Sequence, residues 1–143
     1  MSNYFLAKTD PETYSIADFV AEKTTKWDGL HNYQAINVLK SWQINDLVII
    51  YHSMTKPKIV GLAKVISLPQ KDLTDTRNIS WYAGLELVRE FLPSEQITLK
   101  QIKEASVYTG LFRDFSLIKQ SRLSTMSCPL EFIIWLKSLG VDL

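Results

Sequence analysis

Two apolar segments joined by a short turn constrain the fold of this chain more than any other feature of its sequence. Residues 46–53 and 59–67 alternate β-branched, aliphatic and aromatic side chains, which is the pattern of β-strands. Between them, Lys56-Pro57-Lys58 supplies a turn. The sequence therefore predicts a β-hairpin in the middle of the chain. Residues 81–91 predict a third, long strand, and residues 3–8 predict an opening strand.

Helices are predicted from side chains that cap helix ends. Four starts carry such residues: Ser15 with Asp18, Asn32, Thr98 with Gln101, and Pro129. Gly140 ends the last helix. Because the strands lie mainly in the middle, with helices between and after them, we predict an α+β fold. Its sheet is expected to be mixed or antiparallel and barrel-like, with flanking helices.

The length of the chain indicates one domain. Its 143 residues fall within the roughly 100–200 residues that one domain occupies. No repeat, linker or composition break divides the chain, so we expect a single unit spanning residues 1–143. A barrel-like sheet leaves no long edge open for pairing, so we expect a monomer.

The cysteine content and the apolar runs indicate the cellular compartment in which the protein is expected. Cys128 is the only cysteine, so no disulfide closes within the chain and a reducing, cytoplasmic location is expected. The longest apolar runs, 47–51 and 132–136, have five residues each, against about 20 needed to span a bilayer. We expect no membrane partner and no export signal.

Charge limits how this chain can bind a polyanion. The formal net charge is +1, which excludes extensive electrostatic coating of DNA because such binding scales with the number of phosphates neutralised. One stretch, residues 54–64, holds Lys56, Lys58 and Lys64 and no acid. It is either a solvated loop or a small phosphate-contact site.

The residues available for catalysis and metal binding are few. His31 and His52 have no close ligand spacing, so a tetrahedral metal site is not expected. No nucleotide-binding loop, nucleophile elbow or metalloprotease motif is present, and no cofactor is expected. His52 and Ser53 are neighbours on a predicted strand and point to opposite faces, so the histidine is badly placed to activate the serine.

The most informative segment runs from residue 27 to residue 37, where a loop carrying Trp27 and Gly29 leads into a helix start. Trp27 and Tyr33 could stack a base, while Asn32 or Asp28 could bond its edge. The same residues could instead be core aromatics, a helix cap and a turn. Physical reasoning alone favours this second interpretation and leaves both open.

Four ordered stretches resemble the EVE domain family, a group of PUA-like barrels related to the YTH domain. The first is the segment from Trp27 to Asn37. The others are residues 4–15 with their Tyr14-Ser15 helix start, the central hairpin, and Arg122-Leu123-Ser124, which resembles the family's late Arg-Leu-Ser strand. Thr9-Asp10 replaces the Ser-Glu usual in the family, and His31 stands where Arg is common. The resemblance covers nearly the whole chain and implies a PUA-like pseudo-barrel with a pocket at one side.

The resemblance also implies a function and a set of site residues. We expect a non-enzymatic module that binds nucleic acid, DNA or RNA, and recognises a modified, flipped-out nucleobase. The residues expected to bind the base are Lys8, Thr9, Trp27, Gly29, Asn32, Tyr33, His52, Ser53 and, more weakly, Trp81. The candidates for phosphate contact are His31, Lys56, Lys58 and Arg122.

Two other functions stay open on the sequence. One is a PUA-like RNA-binding module without selectivity for a modified base. The other is a small enzyme acting on a nucleotide, for which Asp28, His31 and His52 would be the acid and base candidates.

Overall fold

The fold is built on one mixed sheet of seven strands. The structure is a computed structural model and describes residues 3–143. The strands are β1 (Tyr4–Thr9), β2 (Thr24–Trp27), β3 (Leu47–His52), β4 (Lys58–Val65), β5 (Gln70–Lys71), β6 (Trp81–Glu90) and β7 (Thr125–Ser127). The helices are α1 (Ile16–Glu22), α2 (Tyr33–Lys40), α3 (Leu99–Thr109), α4 (Ser116–Lys119) and α5 (Leu130–Ser138), with a single 3₁₀ turn at Pro93–Glu95.

The strand order is β2-β6-β4-β3-β1-β7, and β5 pairs with β6. β1 and β3 are parallel, and the other pairs are antiparallel. The α+β class and the mixed sheet with flanking helices are thereby confirmed, although the strand path is open rather than closed. Its two ends are β2, with four residues, and β7, with three. Such short edges offer little backbone for pairing with another chain.

The four strands predicted from alternation are confirmed to within two residues at each end. β3 lies between β1 and β4, and its residues Val48 to Tyr51 are all buried. A strand covered on both faces is apolar on both faces, which explains the continuous run.

Two short strands and one short helix were not predicted. β2, β5 and α4 lack any alternation or cap that the sequence analysis used. The late strand expected at Arg122-Leu123-Ser124 instead forms at Thr125–Ser127, where it pairs with Phe5 to Ala7. Strands of two to four residues are too short to show a period in the sequence and depend on their partners.

The predicted caps are confirmed by their hydrogen bonds. The Ser15 hydroxyl accepts from the Asp18 N–H at 3.1 Å, and the Asp18 carboxylate accepts from the Ser15 N–H at 2.9 Å. Asn32 Oδ1 accepts from the Gln34 and Ala35 N–H groups at 2.8 and 3.2 Å. Thr98 and Gln101 form a second capping box at the start of α3. These local bonds fix where α1, α2 and α3 begin.

Helices pack against the sheet, and an apolar core lies between them. Phe112, Phe115, Phe132 and Trp135 form an aromatic cluster between the α3–α4 segment and α5. No helix within residues 3–143 is both long enough and apolar enough to cross a membrane.

Candidate functional site

A cleft of about 710 Å³ is lined by residues from both ends of the open sheet. β2, at one end of the strand order, supplies Thr25, Lys26 and Trp27, while β1, next to the other end, supplies Lys8 and Thr9. The remaining lining residues are Asp10, Thr13, Tyr14, Glu22, Asp28, Gly29, Leu30, His31, Asn32, Arg122 and Ser124. Seven of the predicted site residues are thus brought together: Lys8, Thr9, Trp27, Gly29, His31, Asn32 and Arg122.

Trp27 belongs both to the core and to the cleft wall. Its side chain is buried, with 7% exposure, at the end of β2. The ring meets Tyr14 edge-on, with 6.3 Å between centroids and an interplanar angle of 81°. The two interpretations that the sequence left open are therefore compatible, and stacking on a base stays a prediction.

Tyr14 is a cleft residue that the sequence analysis did not select as a binding residue, and the buried state of its hydroxyl sets its chemistry. The hydroxyl is buried and has no hydrogen-bond partner among the described residues. Burial is the main cause that raises the pKa of Tyr14 to about 12, with the nearby Glu22 carboxylate raising it further and Thr25 opposing. The phenol therefore stays protonated at neutral pH and keeps its O–H as a hydrogen-bond donor. In the sequence, Tyr14 stands out only as part of the Tyr14-Ser15 helix start.

Lys8 and Thr9 form part of the opposite wall. The Lys8 ammonium donates to the Ser121 carbonyl at 2.9 Å, and burial lowers the pKa of Lys8. The Thr9 hydroxyl donates to the Tyr14 carbonyl at 2.8 Å. Arg122 is exposed at the rim and takes part in none of the ion pairs found within residues 3–143. This wall offers Lys8 and Arg122 as hydrogen-bond donors to a ligand.

The loop from Asp28 to Asn32 forms the rim near α2. Gly29 has φ of +75°, a left-handed conformation that favours glycine. Asn32 Oδ1 is occupied by the helix cap, so its side-chain amide keeps only the Nδ2 donors for a ligand. Asn32 can therefore bond acceptor atoms of a base edge but not donor groups.

The segment between β5 and β6 holds this rim in place. Arg77 Nη1 lies 2.9 Å from His31 Nδ1, and Arg77 Nε donates to Asp75 Oδ1 at 3.1 Å. A guanidinium can only donate, so His31 Nδ1 is the acceptor in this contact. The Ser80 hydroxyl donates to the Leu30 carbonyl at 3.4 Å. Sequence reasoning missed Arg77 because 46 residues separate it from His31.

Six predicted site residues do not line the cleft. His52 Nε2 accepts from the Ile16 N–H at 3.0 Å, and the Ser53 N–H and hydroxyl donate to the Thr9 carbonyl at 3.0 and 3.3 Å. The Lys40 ammonium sits 4.7 Å from the centroid of the Trp81 ring. Tyr33 opens α2 with 67% exposure, and Lys56 and Lys58 lie at the turn between β3 and β4. Their roles in binding stay predictions.

His52 and Ser53 each bond to the backbone beside the cleft and not to each other. The arrangement therefore supplies no nucleophile with its base. Within residues 3–143, no three His, Cys, Asp or Glu side chains are grouped as metal ligands would be.

Comparison with known proteins decides the family. The sequence profile of the EVE domain matches residues 3–136. The chain belongs to the EVE domain family. The resemblance noted in the sequence is confirmed.

Among its relatives, mouse thymocyte nuclear protein 1 is 30% identical over 169 aligned positions, covering 97% of this chain and 74% of the mouse protein. The rat protein of the same name is 41% identical over 86 positions, covering 52% of this chain and 38% of the rat protein. The matches thus span only part of these relatives.

A solved structure with the same fold is that of the human THYN1 protein in complex with DNA containing 5-methylcytosine. It is 25% identical to this chain, with a TM-score of 0.84, and the match covers 99% of this chain and 100% of that one. A protein from Pseudomonas syringae is 27% identical, with a TM-score of 0.84, covering 96% of this chain and 99% of that chain.

Proposed function

We propose that this protein is a non-enzymatic nucleic-acid-binding module whose cleft accepts a modified, flipped-out nucleobase. The observation that carries the proposal is the human relative of the same fold, which was solved with DNA containing 5-methylcytosine. This chain matches that structure over its whole length and has a cleft lined by aromatic and hydrogen-bonding side chains.

The size of the cleft supports a ligand as large as a nucleotide. Its volume of about 710 Å³ falls within the roughly 300–1,000 Å³ typical of small-molecule sites. Extruding a base from a stack costs a few kcal/mol, which contacts in the pocket must offset. Trp27 and Tyr14 are the aromatic side chains available for this in the cleft.

The polar lining supports a base that both accepts and donates hydrogen bonds. Glu22 and Asp28 are acceptors when ionised, whereas Lys8 and the Asn32 amide nitrogen are donors. A cytosine-type base presents an exocyclic amino donor next to acceptor atoms, and therefore matches both groups. A 5-methyl group on such a base would add apolar contact area.

Binding to matched oligonucleotides tests the proposal. The dissociation constants for two single strands that differ only in one 5-methylcytosine in place of cytosine would be compared by fluorescence anisotropy. We expect tighter binding of the methylated strand and no turnover of either strand. Tyr14→Phe should weaken binding of the methylated strand by about 1 kcal/mol, or roughly fivefold. Thermal melts would confirm that the variant folds.

Two results would overturn the proposal. Equal affinity for both strands, unchanged by Tyr14→Phe, would favour an RNA-binding or DNA-binding module without selectivity for a modified base. Chemical conversion of the strand that disappears in a His31 or His52 variant would favour an enzyme.

A further inference from the structure

The cleft lining is too balanced in charge to hold a nucleic-acid backbone by itself. Three carboxylates, on Asp10, Glu22 and Asp28, accompany three basic side chains, on Lys8, Lys26 and Arg122. Phosphates adjoining a base in the cleft therefore need cations elsewhere.

The structure joins two lysine-bearing stretches that are distant in sequence. Residues 54–64 and 96–103 contain no acid. Lys58 forms a β-bridge with Thr98, the Leu99 N–H donates to the Pro57 carbonyl at 2.8 Å, and the Ile59 N–H donates to the Ile97 carbonyl at 3.0 Å. The turn before β4 thus lies against the start of α3.

Four lysines form what we call the lysine surface: Lys56, Lys58, Lys100 and Lys103. Lys56, Lys100 and Lys103 are exposed and Lys58 is half-buried. None takes part in the ion pairs found within residues 3–143. The capping box of Thr98 and Gln101 already occupies the helix start, so the lysine side chains, not the helix end, supply the positive charge.

One row of paired residues across three neighbouring strands connects the cleft with the lysine surface. Thr9, which lines the cleft, pairs with His52, and His52 pairs with Lys58. Neighbouring strands lie about 4.8 Å apart, so two steps place Lys58 about 10 Å from Thr9. A distance of this size is covered by a few nucleotides of a strand, so phosphates near the base in the cleft come within reach of the lysine surface.

We propose that the lysine surface binds the phosphate backbone of the nucleic-acid strand on one side of the base held in the cleft. This inference rests on the proposed function. Affinity should rise when the strand is lengthened by a few nucleotides on one side of the modified base, and should change much less on the other side.

A charge-matched pair of variants tests the proposal. Lys100→Gln with Lys103→Gln removes two charges from the lysine surface. Lys71→Gln with Lys137→Gln removes two charges from outside the lysine surface. Lys71 pairs with Trp81, and the Lys137 ammonium lies 5.8 Å from the centroid of the Tyr4 ring. Both pairs are exposed, and thermal melts would confirm that each variant folds.

The probes are single strands carrying one 5-methylcytosine and the free nucleoside 5-methyl-2′-deoxycytidine. The Lys100 and Lys103 variant should bind the strand about tenfold more weakly at low salt, and the slope of log affinity against log salt should become shallower by about 1.4. Its affinity for the nucleoside, which has no phosphate, should be unchanged. The control variant should bind both probes like the parent.

Equal strand affinities for the two variants would overturn the proposal while leaving the cleft function intact. Loss of strand binding in the surface variant, with no nucleoside binding by any variant, would instead support the lysine surface and contradict the proposed modified-base site. If the surface variant lost binding only to phosphatidylserine vesicles, and not to the strand, the surface would be a membrane contact and the proposal would be wrong.

Discussion

At the scale of single residues, Trp27 contributes both to the core and to the cleft. Its 7% exposure predicts that Trp27→Ala lowers the free energy of unfolding by about 3–5 kcal/mol. If the ring also stacks a base, the folded fraction should bind the methylated strand more weakly by about 1–3 kcal/mol. Denaturant melts and anisotropy measure the two effects separately. Trp27→Phe should recover part of each.

The predictions for stability and for base stacking by Trp27 can be contradicted separately. Unchanged affinity in the folded fraction of Trp27→Ala would contradict stacking, even with a large loss of stability. Unchanged stability would contradict the packing observed against Tyr14.

His52 makes stability depend on pH. Its Nε2 accepts from the Ile16 N–H, and burial, followed by the charge of Lys58, lowers the pKa of His52 below 6.5. The folded state therefore binds fewer protons than the unfolded state between the two pKa values, so stability rises with pH in that window. We expect the midpoint of urea unfolding to fall as pH drops below about 6.5.

Replacing His52 shows whether this residue causes the loss. His52→Gln keeps an acceptor that does not titrate, so the slope of stability against pH should flatten between pH 6.5 and the folded pKa. An unchanged slope would assign the effect to other groups.

At the scale of elements, two variants of Asn32, the residue that caps the start of α2, distinguish helix capping from ligand binding. Asn32→Ala removes the cap and should lower stability by about 0.5–2 kcal/mol. Asn32→Asp keeps a capping oxygen but loses the Nδ2 donors, so its stability should be preserved while binding of the methylated strand weakens by about 1 kcal/mol. Thermal melts and anisotropy on the two variants test this. Parental affinity in Asn32→Asp would show that the amide does not contact the base.

Helices and strands were predictable where the residues that define them lie close together in the sequence. The long strands show a two-residue period, and the caps of α1, α2 and α3 lie within four residues of the groups they bond. By contrast, β2 and β7 exist because they pair with β6 and β1, which no short window of sequence reveals.

The candidate site was predictable in part for the same reason. The resemblance to the family selected seven residues that line the cleft, whereas the contact of Arg77 with His31 depends on the tertiary fold. In the sequence, Tyr14 belongs only to the Tyr14-Ser15 helix start, and the burial of its hydroxyl is visible only in three dimensions.

At the scale of the whole molecule, the cleft is a consequence of topology. Lining residues come from β2 and from β1, which lie near opposite ends of the strand order. An open sheet whose ends approach each other leaves a gap between them. Polar side chains at that gap face solvent and do not need hydrogen-bond partners from the core. The site is thus set by the sheet as a whole and not by one continuous segment.

Residues close to the C-terminus are tied into the same sheet, which predicts cooperative unfolding. Glu95 is buried, is paired with Arg89 of β6 and accepts from the Asp142 N–H at 3.2 Å. Hydrogen bonds from Arg89 are the main cause that lowers the pKa of Glu95 to about 2. We expect one calorimetric transition and, by sedimentation, a monomer. Glu95→Gln should lower the midpoint of that single transition, at a cost of about 3 kcal/mol, because Arg89 loses its ionised partner.

The shape of the transition in Glu95→Gln is the decisive measurement. If the C-terminal residues and the sheet form one unit, the transition moves as a whole, since the pair connects β6, the 3₁₀ turn and Asp142. Two separated transitions, in the parent or in the variant, would contradict a single cooperative domain. A stable dimer in sedimentation would contradict only the monomer, because the short edges β2 and β7 limit pairing between chains but not association through helices.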